Sequence, residues 1–297
     1  MSVWLPTSPC TPEACTGHEG RTASVPHAVL RLVAAVALIL LGILGAPPVR
    51  LLPAGPRHVV VRAWSAALVR AFGIRITVLG NPGPEGGRLV VANHISWLDI
   101  PLVAAVLPCR MLAKSDIRGW PVLGRLAGGA GTLFIERDRI RALPATVEAV
   151  TRALLAGDRV TVYPEGSTWC GRARGTFRRA AFQSALDARV PVQPVRLAYL
   201  GSDGKPAGAP AFVGDDPLTT SLWRIARSRG VRAEVRLLPR IPPGRYADRR
   251  DLAAAAQRAV AAADPAPPAL PGIPGQPTPP SATDKDRAKR PAASVHQ

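Results

Sequence analysis

Val90-Val91-Ala92-Asn93-His94-Ile95-Ser96-Trp97-Leu98-Asp99-Ile100-Pro101 is the stretch from which the organisation of this chain can be read. The apolar run Leu89 to Ala92 predicts a short buried strand that stops at Asn93-His94, and Ser96 offers a hydroxyl to cap a helix running to about Val106. That leaves an imidazole at the carboxyl end of a strand and a carboxylate a little further on. The spacing from His94 to Asp99 would put the two on different faces of one continuous helix, so they meet only if His94 lies in the turn and Asp99 on the first turns of the helix. So placed, a neutral histidine oriented by a carboxylate can take a proton from a hydroxyl, because its unperturbed pKa is about 6.5. The pair taken alone also fits a histidine that only ties down a strand end.

Working outward, Arg75 to Leu79 and Arg88 to Ala92 predict strands around a Pro/Gly turn at Asn81 to Gly87. Further strands are expected at Met111 to Ala113, Thr132 to Ile135, Arg159 to Tyr163 and Val190 to Val195. Between them lie a glycine-rich bend (Gly124 to Gly131), a helix from about Leu143 to Leu155 and another near Arg178 to Asp187. Alternation of this kind predicts an α/β domain with a mainly parallel sheet flanked by helices, over residues 53–263. In such sheets the residues at strand ends line the site.

Ahead of that domain, Leu32 to Ala46 is uncharged and nearly all aliphatic, ended by Pro47-Pro48 and flanked by Arg31 and Arg50. As helix it rises about 22 Å against a hydrocarbon core of about 30 Å, so residues 28–52 read as a membrane anchor that spans or half-inserts. If it spans, Arg50, Arg57, Arg62 and Arg70 place the domain on the cytoplasmic side of the cell membrane. His58 to Phe72 has the apolar spacing of a helix that lies on the interface or on the domain. Residues 1–27 lack periodicity and residues 264–297 are rich in proline; both are expected to be disordered.

The net charge of +18 lies from Arg50 onward and predicts an anionic partner, a membrane surface in preference to nucleic acid. No zinc-finger spacing, RNP-like aromatic pattern or helix-turn-helix signal supports nucleic acid. The Gly128 to Gly131 run precedes a strand, where a dinucleotide fingerprint follows one, and no Gly-x-Ser-x-Gly elbow occurs. The four cysteines, at 10, 15, 109 and 170, form no close pair inside the domain and read as free thiols; no metal site and no cofactor is expected.

Four stretches resemble the motifs of the glycerolipid acyltransferase family. Asn93, His94, Ser96 and Asp99 match the first; Gly131-Thr132-Leu133-Phe134-Ile135-Glu136-Arg137 is similar to the second; Tyr163-Pro164-Glu165-Gly166-Ser167 is similar to the Phe-Pro-Glu-Gly-Thr third; and Val190 to Val195 matches the Val-Pro-x-x-Pro-Val fourth. The resemblance covers roughly residues 55 to 240. It implies that His94 is a general base and Asp99 its orienter, and that Arg137, Glu165, Gly166 and Ser167 surround the phosphate and glycerol of an acceptor. The implied reaction moves a fatty acyl group from acyl-coenzyme A or acyl carrier protein to a lysophospholipid hydroxyl, most simply that of 1-acylglycerol-3-phosphate. A lyso-aminolipid acceptor, or a basic membrane-binding module without catalysis, are the other readings. Glu165, a carboxylate beside an anionic acceptor, is expected to bind a glycerol hydroxyl or to anchor a cation such as Arg137. Arg172, Arg174, Arg178 and Arg179 follow the third motif and could hold a head group, coenzyme A or an acidic carrier.

Overall fold

The computed structural model describes residues 8–18, 20–120, 122–136 and 139–263. The helices are α1 (Pro12–Cys15), α2 (Val25–Arg50), α3 (Ala54–Ala71), α4 (Asp99–Ala104), α5 (Leu123–Gly129), α6 (Leu143–Leu155), α7 (Phe182–Asp187), α8 (Leu218–Arg227) and α9 (Arg249–Ala262). The strands are β1 (Arg75–Leu79), β2 (Arg88–Ala92), β3 (Arg110–Lys114), β4 (Leu133–Ile135), β5 (Arg159–Val162), β6 (Val192–Leu200) and β7 (Arg232–Leu237). They form one sheet in the order β1-β7-β6-β2-β5-β3-β4. Every pairing is parallel except β6 with β7, so β1 and β7 run against the other strands. The expected α/β class with a mainly parallel sheet flanked by helices and preceded by an apolar helix is what the chain adopts.

Strand β2 is buried throughout and sits at the centre. Because successive side chains point to opposite faces, Val90 and Ala92 join Phe72, Leu102 and Ile225 in one core, while Leu89 and Val91 join Leu154, Phe182 and Ala256 in the other. A strand apolar on both faces is what a sheet covered on both sides requires. The parallel strands β2, β5 and β6 deliver their carboxyl ends to one rim.

Several local expectations are corrected. Helix α2 does not stop at Pro47-Pro48 but continues to Arg50. A helix-interior proline costs about 3 kcal/mol, and here packing opposes it: Arg50 donates to Gly128 O at 2.5 Å, and Ala46 lies against Gly129. The helix expected from Ser96 begins at Asp99, the one near Arg178 begins at Phe182, and the last strand of the fourth motif runs from Val192 on to Leu200. Much of the glycine-rich bend is helix α5. Residues 1–27 are expected to lack structure, yet Arg21 and Ala23 are tied to the domain: Ala23 N–H donates to Arg227 O at 2.7 Å and Arg229 N–H to Arg21 O at 3.0 Å. Isolated tail sequence carries no sign of these backbone bonds, because their partners lie two hundred residues away. The proline-rich tail 264–297 lies outside the described residues.

Part of the positive charge is structural. Arg31 donates to Ala226 O and Ser228 O at the carboxyl end of α8, where a guanidinium meets unpaired carbonyls and the negative end of the helix dipole. Arg224 grips Asp216 through two nitrogens, at 3.2 and 2.6 Å.

Candidate active site

The turn between β2 and α4 is built by Asp99. Its Oδ2 accepts the backbone N–H of Ile95 at 2.6 Å and of Ser96 at 2.9 Å, and faces His94 Nδ1 at 2.8 Å. Its Oδ1 accepts the Tyr199 hydroxyl at 2.7 Å. Asp99 is fully buried, and a buried carboxylate is tolerable only with donors of this number and quality. Ser96 therefore does not cap the helix; its hydroxyl accepts Leu98 N–H at 3.3 Å inside the turn. The predicted meeting of His94 in the turn with Asp99 on the first helical turn is what the chain makes.

With Nδ1–H given to Asp99, the tautomer assigned by the network leaves the lone pair on Nε2. No hydrogen bond to Nε2 is formed among the described residues. The ring is stacked on Tyr163, with centroids 4.1 Å apart and planes inclined by 15°, so its orientation is held from the side as well as from behind. The imidazole keeps 14% of its side-chain surface exposed while Asp99 keeps none.

Two contacts fix where the turn begins. Asn93 donates through Nδ2 to Leu197 O at 3.0 Å and accepts Leu197 N–H on Oδ1 at 2.8 Å, continuing the β2–β6 ladder with a side chain after the strand has ended. Glu165 accepts His94 N–H on Oε2 at 2.7 Å and Gly175 N–H on Oε1 at 3.0 Å. Both Glu165 oxygens thus serve backbone donors, and the Arg174 guanidinium is close enough for its charge to be felt there. Burial pushes the Glu165 carboxyl up to about 7, against those two hydrogen bonds. Glu165 thereby joins the turn after β5 to the turn after β2; Arg137, the cation it is expected to anchor, lies outside the described residues.

Gly166 follows in the left-handed region at φ 74°, with its N–H donated to Tyr163 O at 3.1 Å, a conformation that favours glycine. Ser167 continues the same turn, half-buried. Arg137 lies outside the described residues. Arg172, Arg174, Arg178 and Arg179 are exposed on the loop that Arg178 N–H closes back onto Pro164 O at 2.7 Å. Tyr199, which the sequence did not single out, belongs to this constellation; burial, with the Asp99 charge adding, holds its phenol well above the ordinary value, so it remains a donor. Its signal was a polar tip on the apolar face of β6 that carries Val195 and Leu197.

Comparison with known proteins agrees with this geometry. Residues 74–198 match the family model described as Acyltransferase. The chain is 39% identical over 204 residues to a lyso-ornithine lipid O-acyltransferase of Pseudomonas aeruginosa, an overlap covering 69% of this chain and 78% of that protein. It is 39% identical over 181 residues to a 1-acyl-sn-glycerol-3-phosphate acyltransferase of Neisseria gonorrhoeae, covering 60% and 70% respectively. The crystal structure of the 1-acyl-sn-glycerophosphate acyltransferase PlsC from Thermotoga maritima shares the fold, with a TM-score of 0.59 and 19% identity over 80% of this chain and 93% of that one. An α/β sheet that presents a carboxylate-held histidine at its central rim, with relatives of this extent, makes the chain an acyltransferase that belongs to the glycerolipid acyltransferase family.

Proposed function

We propose that this acyltransferase transfers a fatty acyl group from an acyl thioester, acyl-coenzyme A or acyl carrier protein, to the free hydroxyl of a lysophospholipid, most simply 1-acylglycerol-3-phosphate to give phosphatidic acid. The observation that carries the reading is the His94 Nδ1 to Asp99 Oδ2 contact of 2.8 Å, which leaves Nε2 as the basic nitrogen of the ring. His94 Nε2 takes the acceptor's proton as its oxygen attacks the thioester carbonyl, and returns that proton to the departing thiolate. Asp99 holds the tautomer and steadies the imidazolium that forms in between. Glu165 and Tyr199 act through these two as positioning residues. The exposed arginines after Ser167 favour an acceptor or donor of negative charge, and Arg137, by its place in the second motif, is assigned to the acceptor's phosphate.

A second acceptor, a lyso-ornithine lipid, is favoured by the Pseudomonas relative, whose overlap covers more of this chain than the Neisseria one. An assay of the purified full chain with a labelled acyl thioester against both acceptors separates the two. His94→Ala is expected to abolish transfer to either while the protein still binds vesicles; near-normal turnover in that variant would overturn the mechanism. Arg137→Ala is expected to raise the KM for 1-acylglycerol-3-phosphate by about ten- to two-hundred-fold and leave the donor's KM unmoved.

The membrane carries the substrate, and α2 supports the reading that the enzyme lies on it. This helix is 26 residues long, about 39 Å, so length alone permits a span. One stripe is nevertheless docked on the domain along its whole length, through Arg31, through Leu38 O accepting Trp64 Nε1–H at 2.8 Å, and through Arg50. The opposite stripe exposes Leu30, Val33, Leu40, Leu41 and Leu44. A helix fastened in this way lies in the plane of the interface with its apolar stripe in the lipid and the acyltransferase rim beside it, on the cytoplasmic face where thioester donors are found.

A further inference from the structure

We propose that Cys10, Cys15 and Cys170 form a three-thiolate site for a zinc ion, which clasps the segment ahead of α2 to the loop that follows Ser167. The sulfurs come from opposite parts of the chain, yet all lie within 4.8 Å of one another, and each of the three residues is less than a tenth exposed. Zinc binds thiolate sulfur at about 2.3 Å in a tetrahedron, which sets neighbouring sulfurs about 3.8 Å apart. The cluster is thus within about an ångström of the spacing a zinc ion would impose. A disulfide would pull two of the sulfurs to about 2.05 Å and leave the third unused, whereas a metal employs all three.

The backbone is shaped around the sulfurs on both sides. Thr11 accepts Ala14 N–H on its hydroxyl at 3.4 Å and Cys15 N–H on its carbonyl at 3.1 Å, so the single turn α1 carries Cys15 back towards Cys10. On the other side, Gly171 at φ 82° reverses the chain and directs the N–H groups of Arg172 and Ala173 at the Cys170 sulfur. Backbone donors aimed at a cysteine sulfur hold it in place and stabilise the charged form that a metal requires. Each partner of the clasp is seated independently of it: Gly208 packs against Cys15 O and Gly17 O and Gly214 against Cys10 O, while the backbone N–H of Trp169 ties the Cys170 loop to His94 O. The site is therefore preformed, and binding needs no large rearrangement. Each thiol gives up its proton to solvent as it ligates, so uptake releases protons and weakens as pH falls. The fourth position of the tetrahedron goes to water or a small exogenous ligand.

The site differs from the reaction centre but abuts it. Trp169, next to Cys170, donates its backbone N–H to His94 O at 2.7 Å, so the loop that the metal would clasp is the one that backs the histidine. Its role is structural, and it neither requires nor excludes the acyl acceptor assigned above.

The test uses the full chain, purified in detergent with reductant, stripped by chelator and titrated with cobalt(II) as a spectroscopic stand-in. The expected result is sulfur-to-cobalt charge-transfer absorption that saturates at about one equivalent and is displaced by zinc. Cys10→Ser, Cys15→Ser and Cys170→Ser should each lose most of that absorption. Cys109→Ser should retain it, because Cys109 accepts Thr161 Oγ1–H at 2.9 Å elsewhere in the domain. Cys10 and Cys15 lie outside the sheet, so their variants answer the question even if Cys170→Ser fails to fold. Absence of the charge-transfer band in the reduced, folded wild type, or its persistence in both the Cys10 and Cys15 variants, would overturn the proposal. So would a disulfide found by mass spectrometry in a chain that, once reduced, binds no cobalt.

Discussion

The Tyr199 hydroxyl donates to Asp99 Oδ1 at 2.7 Å, across the gap between β6 and the first turn of α4. This bond ties the Asp99 carboxylate to strand β6, although neither the motif nor the spacing around His94 hints at it. Tyr199→Phe leaves Oδ1 buried without that donor, at a cost of about 1–3 kcal/mol. Tm should fall, kcat should drop by about ten-fold or more, and the KM for both substrates should stay near the wild-type value. A change confined to KM would show that Tyr199 meets substrate and does not work through Asp99.

Tyr163 presents the opposite case. Its ring stacks on His94, but its hydroxyl is buried with no hydrogen-bond partner among the described residues. Tyr163→Phe keeps the stack and removes the unpaired group, so thermal melting should show a stability gain of about 1 kcal/mol, with kcat retained. A loss of several kcal/mol would mean the hydroxyl has a partner that the fold makes in solution.

Glu165 predicts a pH dependence with a definite sign. Its carboxyl is raised to about 7 by burial, from 4.5 when exposed, so between these values the folded chain binds more protons than the unfolded one. Stability from this group is therefore present below about pH 4.5 and is lost as pH rises through about 7, by at most about 3 kcal/mol. Glu165→Gln, which does not titrate, should be less stable at every pH because one backbone N–H loses its acceptor. The gap to wild type should nevertheless narrow from pH 5 to pH 8 in paired melting curves. A gap that widens instead would show the carboxyl to be depressed.

The exposed stripe of α2 should govern membrane affinity without contributing to the fold. Leu40→Ser with Leu44→Ser removes apolar surface worth about 1.5–3 kcal/mol per leucine, so vesicle flotation should weaken by at least about ten-fold while Tm is unchanged. Deleting residues 1–52 is a different perturbation, since it strips Ala28 and Ala35 from the core and the Arg31 guanidinium from the end of α8, and it should lower Tm as well. Unaltered flotation of the double variant would place the membrane surface elsewhere.

The class of fold and the central pair were open to reading because both are local. Strand β2 announces itself by its uninterrupted apolar run, α6 by a periodicity that gave its ends as Leu143 and Leu155, and His94 with Asp99 by their spacing across one turn. The helix starts at Asp99 and Phe182 are not legible in the sequence, because Ser96 and the arginines near 178 carry ordinary capping and helix-forming chemistry, which tertiary bonds redirect. What holds the pair is not local. Tyr199, Leu197 and Glu165 reach the turn from β6 and from the end of β5, and the sulfurs of Cys10 and Cys15 meet Cys170 only because α1 is laid against the loop after Ser167. Residue type and period set which segments become strand or helix, since those preferences act over a few residues. Which buried donor meets which acceptor is decided by strand order and register, and these exist only once the sheet has assembled.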